Sequence, residues 1–119
     1  MKANELRIGN WVRIKDVPTT NEWQVESIGN LQQVGGQLWS IEELEPIPLT
    51  EEWLEQFGFE KVVNGLFAID LFHYNLKEYR LYISKNESNE VDFVEIKHVH
   101  SLQNLYFALT GEELNQNKR

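Results

Sequence analysis

The sequence predicts an α+β protein built from short strands, a helix, an antiparallel β-meander and a C-terminal helix. Three observations predict this class. Short apolar runs are punctuated by turn residues up to residue 48, helical apolar spacing occurs at 49–59 and 101–111, and β-favouring runs lie between those two segments. We therefore expect a β part at 1–48 and an α-β-β-β-α part at 49–119 that packs on it.

Several short strands are predicted in the first part. Trp11–Asp16 alternates, with Val12 and Ile14 on one face. The next alternating run changes register near Glu26–Ser27, which is typical of a β-bulge. Gly35–Gly36 separates two further apolar runs and indicates a tight hairpin, because both central residues of a type I′ turn have positive φ.

The segment SIEELEPIPL ends this part with one helical turn. Pro46 and Pro48 then prevent the helix from continuing, since proline has no amide donor. Short strands, tight turns and a late single turn resemble an SH3-like small β-barrel, and the opening RIGNWVRI is similar to the Gly-Asn/Asp-x-Val entry of KOW-type barrels. The resemblance implies an N-terminal SH3-like β-barrel at 1–48.

The first helix is predicted at 49–59. Thr50 is a suitable N-cap, and Gly58 provides the left-handed residue that commonly ends a helix. Leu49 and Leu54 are spaced as a hydrophobic staple around the cap. Because so short a helix is not stable alone, we expect its apolar side to pack on the rest of the protein.

An antiparallel meander is predicted between the two helices. Asn64–Gly65 lies between two β-favouring runs and is a strong hairpin signal. The runs YRLYIS and VDFVEIKHV, separated by the polar KNESNE, add further alternating strands. We expect three or four strands in this sheet.

The last helix is predicted to begin at Ser101, its N-cap, and to end at Gly111. Its apolar residues recur at helical spacing and form one stripe: Leu102, Leu105, Tyr106 and Leu109. We expect this stripe to pack against the meander, because each buried leucine contributes roughly 1.5–3 kcal/mol.

Three histidines are the main candidates for chemistry. His98 and His100 alternate on a predicted strand and share a face, while nothing in the spacing brings His73 to them. Imidazoles can bind zinc, but structural, hydrogen-bonded histidines are commoner. Cysteine is absent, and the sequence has no nucleophile elbow, phosphate-binding loop or zinc-protease motif. We therefore expect no catalytic residue, no metal site and no cofactor.

Composition indicates an ordinary globular protein. The 119 residues are 41% hydrophobic and 25% charged, values typical of folded domains. No window holds the ~20 apolar residues of a membrane helix, and the first residues lack the apolar core of a signal peptide. Together with the absence of cysteine, these features predict a cytoplasmic protein without membrane association.

The net charge of −8 is concentrated in one segment, because residues 37–60 hold seven glutamates and no lysine or arginine. One interpretation is a solvated surface kept acidic for solubility. The other is a docking surface for a basic host or phage protein. The residues assigned to that surface are Glu42, Glu43, Glu45, Glu51, Glu52 and Glu55. Such a surface repels phosphate, so nucleic acid is not expected to bind there.

An alternative function is a nucleic-acid-associated module. It would use Arg7, Arg13 and Lys15 of the first part together with exposed tryptophans. Three of the four tryptophans lie in that part, and the competing interpretation is that they fill the core of a small barrel.

Three blocks of the sequence carry a family resemblance: NELRIGNWV, PIPLTEEWLEQFGFEK and VHSLQNLYFALTGEEL. They look like the recurring blocks of a family of small uncharacterised proteins of Bacteroidetes and their prophages, and they span most of the chain. The resemblance brings no established activity with it, and it implies an accessory protein encoded on a mobile element. We expect a non-enzymatic binding or regulatory protein, prophage-encoded, that contacts a protein partner.

Overall fold

The computed structural model describes residues 3–17, 22–84 and 91–114. These residues form two antiparallel five-stranded sheets and two α-helices, which confirms the α+β class. They divide into two compact units. The first holds the chain up to Pro48 together with His98–Glu113, and the second holds Leu49–Lys97 together with Leu114.

The sheet of the first unit is open. Its strands are β1 (Trp11–Ile14), β2 (Trp23–Ser27), β3 (Gln32–Val34), β4 (Gln37–Trp39) and β5 (Leu44–Pro46), with a 3₁₀ turn at Ile41–Glu43. The order is β4-β3-β2-β1-β5, so the end strands β4 and β5 do not pair with each other. The prediction of a closed barrel is therefore wrong. β5 has three residues and ends in Pro46, which has no amide donor. The carbonyl of the next residue, Ile47, accepts the amide of Val99.

The core of the first unit is aliphatic. Its buried side chains are Leu6, Val12, Ile14, Val25, Val34 and Leu44. The predicted bulge is confirmed by a register shift between Val25 and Ser27 in the β2–β3 pair. The predicted hairpin is confirmed between β3 and β4, where Gly35 and Gly36 have φ of 60° and 78°. A Cβ atom on Gly35 would lie 3.2 Å from the ring of Trp23, a tight contact that the ring would have to relieve by shifting.

The second unit contains one short helix and a five-stranded meander. Its elements are α1 (Glu51–Gln56), β6 (Glu60–Val63), β7 (Leu66–Ile69), β8 (Phe72–Asn75), β9 (Arg80–Ser84) and β10 (Val91–Glu95). The strands are ordered β10-β9-β8-β7-β6, and each pairs antiparallel with its neighbours. The sheet therefore follows the order of the chain.

Hairpins explain why this sheet has five strands rather than the three or four expected. The predicted turn at Asn64–Gly65 is confirmed between β6 and β7, and Gly65 has φ of 81°. The run LFAIDLF then splits into β7 and β8, because Asp70 adopts φ of 50° and reverses the chain. Aspartate enters this left-handed region more readily than most residues.

The residues that cap and end α1 agree with the sequence prediction, although the helix, Glu51–Gln56, is shorter than the predicted segment 49–59. The Thr50 hydroxyl accepts the amide of Trp53 at 3.3 Å, so Thr50 is the N-cap. Gly58 follows the last turn with φ of 95° and ends the helix. Trp53 and Leu54 are buried, as expected for a helix too short to be stable in solution.

One face of the second sheet carries an aromatic core. Phe67, Tyr74 and Leu81 lie opposite one another on β7, β8 and β9, and all three are buried. Lys61 of β6 belongs to the same row, and its ion pair with Glu51 places α1 on this face. The Tyr74 hydroxyl donates a hydrogen bond to the carbonyl of Ile96. Burial raises the pKa of that hydroxyl, so it stays a donor.

The second helix, α2 (Val99–Thr110), differs from its prediction in three ways. It begins one turn early, with His98 rather than Ser101 as N-cap, although Gly111 ends it as expected with φ of 75°. It is grouped with the first unit, whereas the sequence predicts packing on the meander. Its buried face also includes polar residues, and Leu109 of the predicted stripe is 51% exposed.

Candidate functional site

The six candidate glutamates fall into two groups, and the first group lies in the first unit. Glu42 is exposed in the 3₁₀ turn. Glu43 has a structural role. Its Oε1 accepts hydrogen bonds from the Ser40 amide at 3.1 Å and from the Ser40 hydroxyl at 3.0 Å. Glu45 is half-buried on β5 and lies opposite Arg13 of β1. Of these three, only Glu42 combines full exposure with the absence of a described charged or capping partner.

The second group lies on α1 in the second unit. Glu51 forms an ion pair with Lys61, with Oε1 and Nζ 3.0 Å apart. The counter-charge of Glu51 thus comes from the residue directly after the acidic segment 37–60. Glu52 and Glu55 are exposed, and neither forms an ion pair with a residue that the structure describes. These two carboxylates form the acidic surface of α1.

A polar network in the first unit joins side chains near the start of the chain to side chains of α2. Asn10 is only 1% exposed, and its Oδ1 accepts the amide of Arg7 at 2.7 Å. Oδ1 of Asn104 accepts from both side chains, at 2.8 Å from Asn10 and 3.1 Å from Arg7. The Arg7 guanidinium also pairs with Glu113 and stacks 4.1 Å from the ring centre of Phe107.

Gln103 extends this network along α2. Its Oε1 accepts the amide of Trp11 at 2.9 Å, and its Nε2 donates to the carbonyl of Gly9 at 3.2 Å. Asn104 likewise donates to the carbonyl of Glu5 at 2.7 Å. The blocks NELRIGNWV and VHSLQNLYFALTGEEL thus meet here, and their polar residues attach α2 to the start of the chain. This role is structural, because the donors and acceptors named here satisfy one another.

The network weakens the nucleic-acid alternative. Arg7, one of its three cations, is already bound by Asn104, Glu113 and Phe107. Arg13 is half-buried opposite Glu45, and Lys15 is exposed.

No tryptophan is among the buried core residues of the first unit, although the half-buried Trp39 packs against them. The interpretation that the tryptophans fill this core is therefore wrong. Trp23 is 43% exposed, and Trp11 and Trp39 are half-buried. Trp53 is buried, but it lies in the second unit. The aliphatic residues of β1, β2, β3 and β5 take the place expected for the rings.

The histidines do not share a strand face. His98 caps α2 and His100 lies in its first turn, with their rings stacked at 6.0 Å between centres. His100 is buried, and its Nδ1 has no hydrogen-bond partner within the described part of the chain. Burial lowers its pKa, and the neighbouring His98 lowers it further. His73 lies on β8 in the other unit.

Metal ligands are not clustered in the described ranges, which contain no group of three or more His, Cys, Asp or Glu side chains placed to hold an ion. The absence of catalytic residues and cofactors stays a prediction. No helix found between residues 3 and 114, outside the two undescribed gaps, is long and apolar enough to cross a membrane.

The exposed edge formed by strand β6 is a feature that the sequence prediction missed, although it predicted the hairpin to which β6 belongs. This strand is the last of its sheet, and all four of its residues are exposed. Val62 and Val63 are 55% and 59% exposed although they are adjacent. A register shift between Lys61 and Val63 accounts for this, because a bulge interrupts the alternation of faces. Alternation of faces alone predicts that one of these two valines is buried, so the apolar pattern carries no signal of the exposed edge.

Comparison of the chain with models of known protein families, with curated proteins and with solved structures finds no match. Function must therefore be argued from the surfaces described above.

Proposed function

We propose that this protein is a non-enzymatic binding or regulatory protein that contacts a basic protein partner through exposed glutamates. The observation that carries the proposal is the acidic surface of α1, where Glu52 and Glu55 are exposed without a described counter-ion. The segment 49–97 around it holds ten acidic and five basic residues. An excess of one charge attracts a partner of the opposite charge and speeds its association.

This proposal assigns partner binding mainly to Glu52 and Glu55. The other four predicted residues contribute less to it: Glu42, Glu43, Glu45 and Glu51. Glu43 caps the 3₁₀ turn and Glu51 is paired with Lys61. Changing either would disturb local structure as well as charge. Glu52 and Glu55 are therefore the residues with which the proposal is tested most cleanly.

The test is the double substitution Glu52→Lys and Glu55→Lys. We expect it to abolish capture of basic proteins from a lysate of the source cells, read by mass spectrometry. Capture by the unmodified protein should also weaken as salt is raised, because exposed charges are screened over about 8–10 Å at physiological ionic strength. The unfolding free energy should change by no more than about 1 kcal/mol, the usual size of a charge effect at a helix end.

The control is Glu112→Lys, which reverses one exposed charge in the first unit. It should leave capture close to that of the unmodified protein, and the single substitutions at Glu52 and Glu55 should each weaken it. Capture that survives the double substitution contradicts the proposal. A salt-sensitive mobility shift with DNA that disappears in Arg13→Glu would favour the nucleic-acid alternative instead.

We also propose that the first unit is related to SH3-like barrels. The position of β5 beside β1, the meander from β1 to β4 and the 3₁₀ turn before β5 support this relationship. Membership of a Bacteroidetes and prophage family is a further proposal, and it rests on the three sequence blocks alone.

A further inference from the structure

Strand β6 leaves one side of its backbone open. It pairs only with β7, since it stands at the end of the order β10-β9-β8-β7-β6. Apart from that pairing, the backbone of Glu60–Val63 makes no hydrogen bond with another described residue. An unpaired strand edge presents amide and carbonyl groups that can accept a further strand.

The side chains of this edge are of two kinds. Glu60 and Lys61 are charged, as is common in edge strands, whereas Val62 and Val63 are apolar and more than half exposed. The bulge between Lys61 and Val63 limits pairing on the β7 side and turns both valines outward. These neighbouring apolar side chains offer a small surface that an added strand would cover.

The charge beside the edge selects the kind of strand. Helix α1 packs next to β6, and the ion pair between Glu51 and Lys61 fixes the two elements together. The exposed carboxylates of Glu52 and Glu55 belong to this helix, and Glu60 lies in the strand itself. A basic segment complements these charges, whereas a second copy of this chain would bring the same glutamates against one another.

We infer that β6 binds an extended, basic segment of a partner protein, which adds to the sheet as a sixth strand. The inference rests on the proposed function and specifies how the partner is held. Backbone hydrogen bonds to β6 provide the attachment, and basic side chains directed toward α1 provide the selectivity. Four strand residues span only about 14 Å, so the site fits a short flexible segment better than a preformed protein surface.

The experiment uses an eight-residue peptide of alternating lysine and valine and the full chain, labelled for NMR. A control peptide has the same sequence but carries an N-methyl group on every backbone amide, which removes the amide donors of both strand edges and keeps the charge. We expect the first peptide to slow amide exchange at Glu60–Val63 and to bind at least about tenfold more tightly than the N-methylated one. A matched pair of variants tests position: Val62→Lys should weaken binding, and Leu71→Lys, at an exposed site in the β7–β8 turn, should not.

The outcomes separate the two proposals. Equal binding of both peptides, without slower exchange in β6, overturns the strand addition. If that binding is still lost in the Glu52→Lys and Glu55→Lys variant, the proposal that the acidic surface of α1 binds basic partners is supported. The partner then binds by charge without adding a strand to the sheet. If neither peptide binds at low salt, the edge inference fails, whatever the lysate experiment shows.

Discussion

The two units hold their elements together by different forces. In the first unit, α2 is attached to the start of the chain by amide side chains, with Asn10, Gln103 and Asn104 bonded to one another or to backbone groups. In the second unit, the buried side chains of the sheet and its helix are mainly rings: Trp53, Phe57, Phe59, Phe67, Phe72 and Tyr74.

This difference teaches where specificity and stability come from in a small protein. The hydrophobic gain from burying rings is large and not directional. Hydrogen bonds contribute less on balance, yet they have fixed geometry and are costly to leave unmade when buried. The first unit therefore depends on polar residues for its arrangement, and the second depends on rings for its stability.

The largest expected effect is in the aromatic core. Phe67→Ala should lower the unfolding free energy of the second unit by about 3–5 kcal/mol, because a ring that is 1% exposed leaves a cavity. Denaturant unfolding followed by NMR signals from each unit measures it. Phe93→Ala is the control, since that ring is 54% exposed, and it should cost less than about 1 kcal/mol. Similar losses in both variants would contradict the aromatic core as the source of stability.

A smaller effect is expected in the polar network. Gln103→Ala removes two hydrogen bonds, one accepted from the amide of Trp11 and one donated to the carbonyl of Gly9, which also accepts from Gln24. This should cost the first unit about 1–3 kcal/mol, since each hydrogen bond contributes roughly 0.5–1.5 kcal/mol. The same NMR-detected unfolding measures it, with Gln37→Ala on the exposed edge strand β4 as the control. If the two variants unfold alike, α2 is held by its apolar residues. The proposed difference between the two units would then be contradicted.

The smallest effect is a pH dependence of the first unit. Burial lowers the pKa of His100 from its ordinary value of 6.5, and His98 adds to this while Glu5 opposes it. The unfolded chain then binds a proton more readily than the folded one below about pH 6.5. Stability is therefore present above that pH and is lost as pH falls, with a slope of at most about 1.4 kcal/mol per pH unit. Unfolding of His100→Gln between pH 5 and 7.5 should show a shallower dependence, and an unchanged slope would contradict this account.

Local features of the fold could be predicted from the sequence because their causes are local. Thr50 and Gly58 define α1, and the turns at Gly35–Gly36 and Asn64–Gly65 define two hairpins. The bulge near Ser27 follows from a shift in alternation. Each of these depends on backbone preferences within a few residues.

Long-range features could not be predicted in the same way. The position of α2 depends on Gln103 and Asn104, which a search for apolar periodicity ignores. The exposed edge at Val62 depends on which strand ends the sheet, and no local pattern encodes that. For the candidate site, the sequence identifies the glutamates by charge, but only the fold shows that Glu43 and Glu51 have partners.

The first unit takes its residues from both sides of the second, since β1–β5 come before Leu49 and α2 comes after Lys97. Synthesis on the ribosome proceeds from the N-terminus, and domains generally fold as units while it continues. Most of the meander can therefore form before α2 emerges, whereas the earlier strands acquire the hydrogen bonds of Gln103 and Asn104 only afterwards. In this protein both units are completed by residues translated after the meander, namely α2 in the first unit and the buried Leu114 in the second.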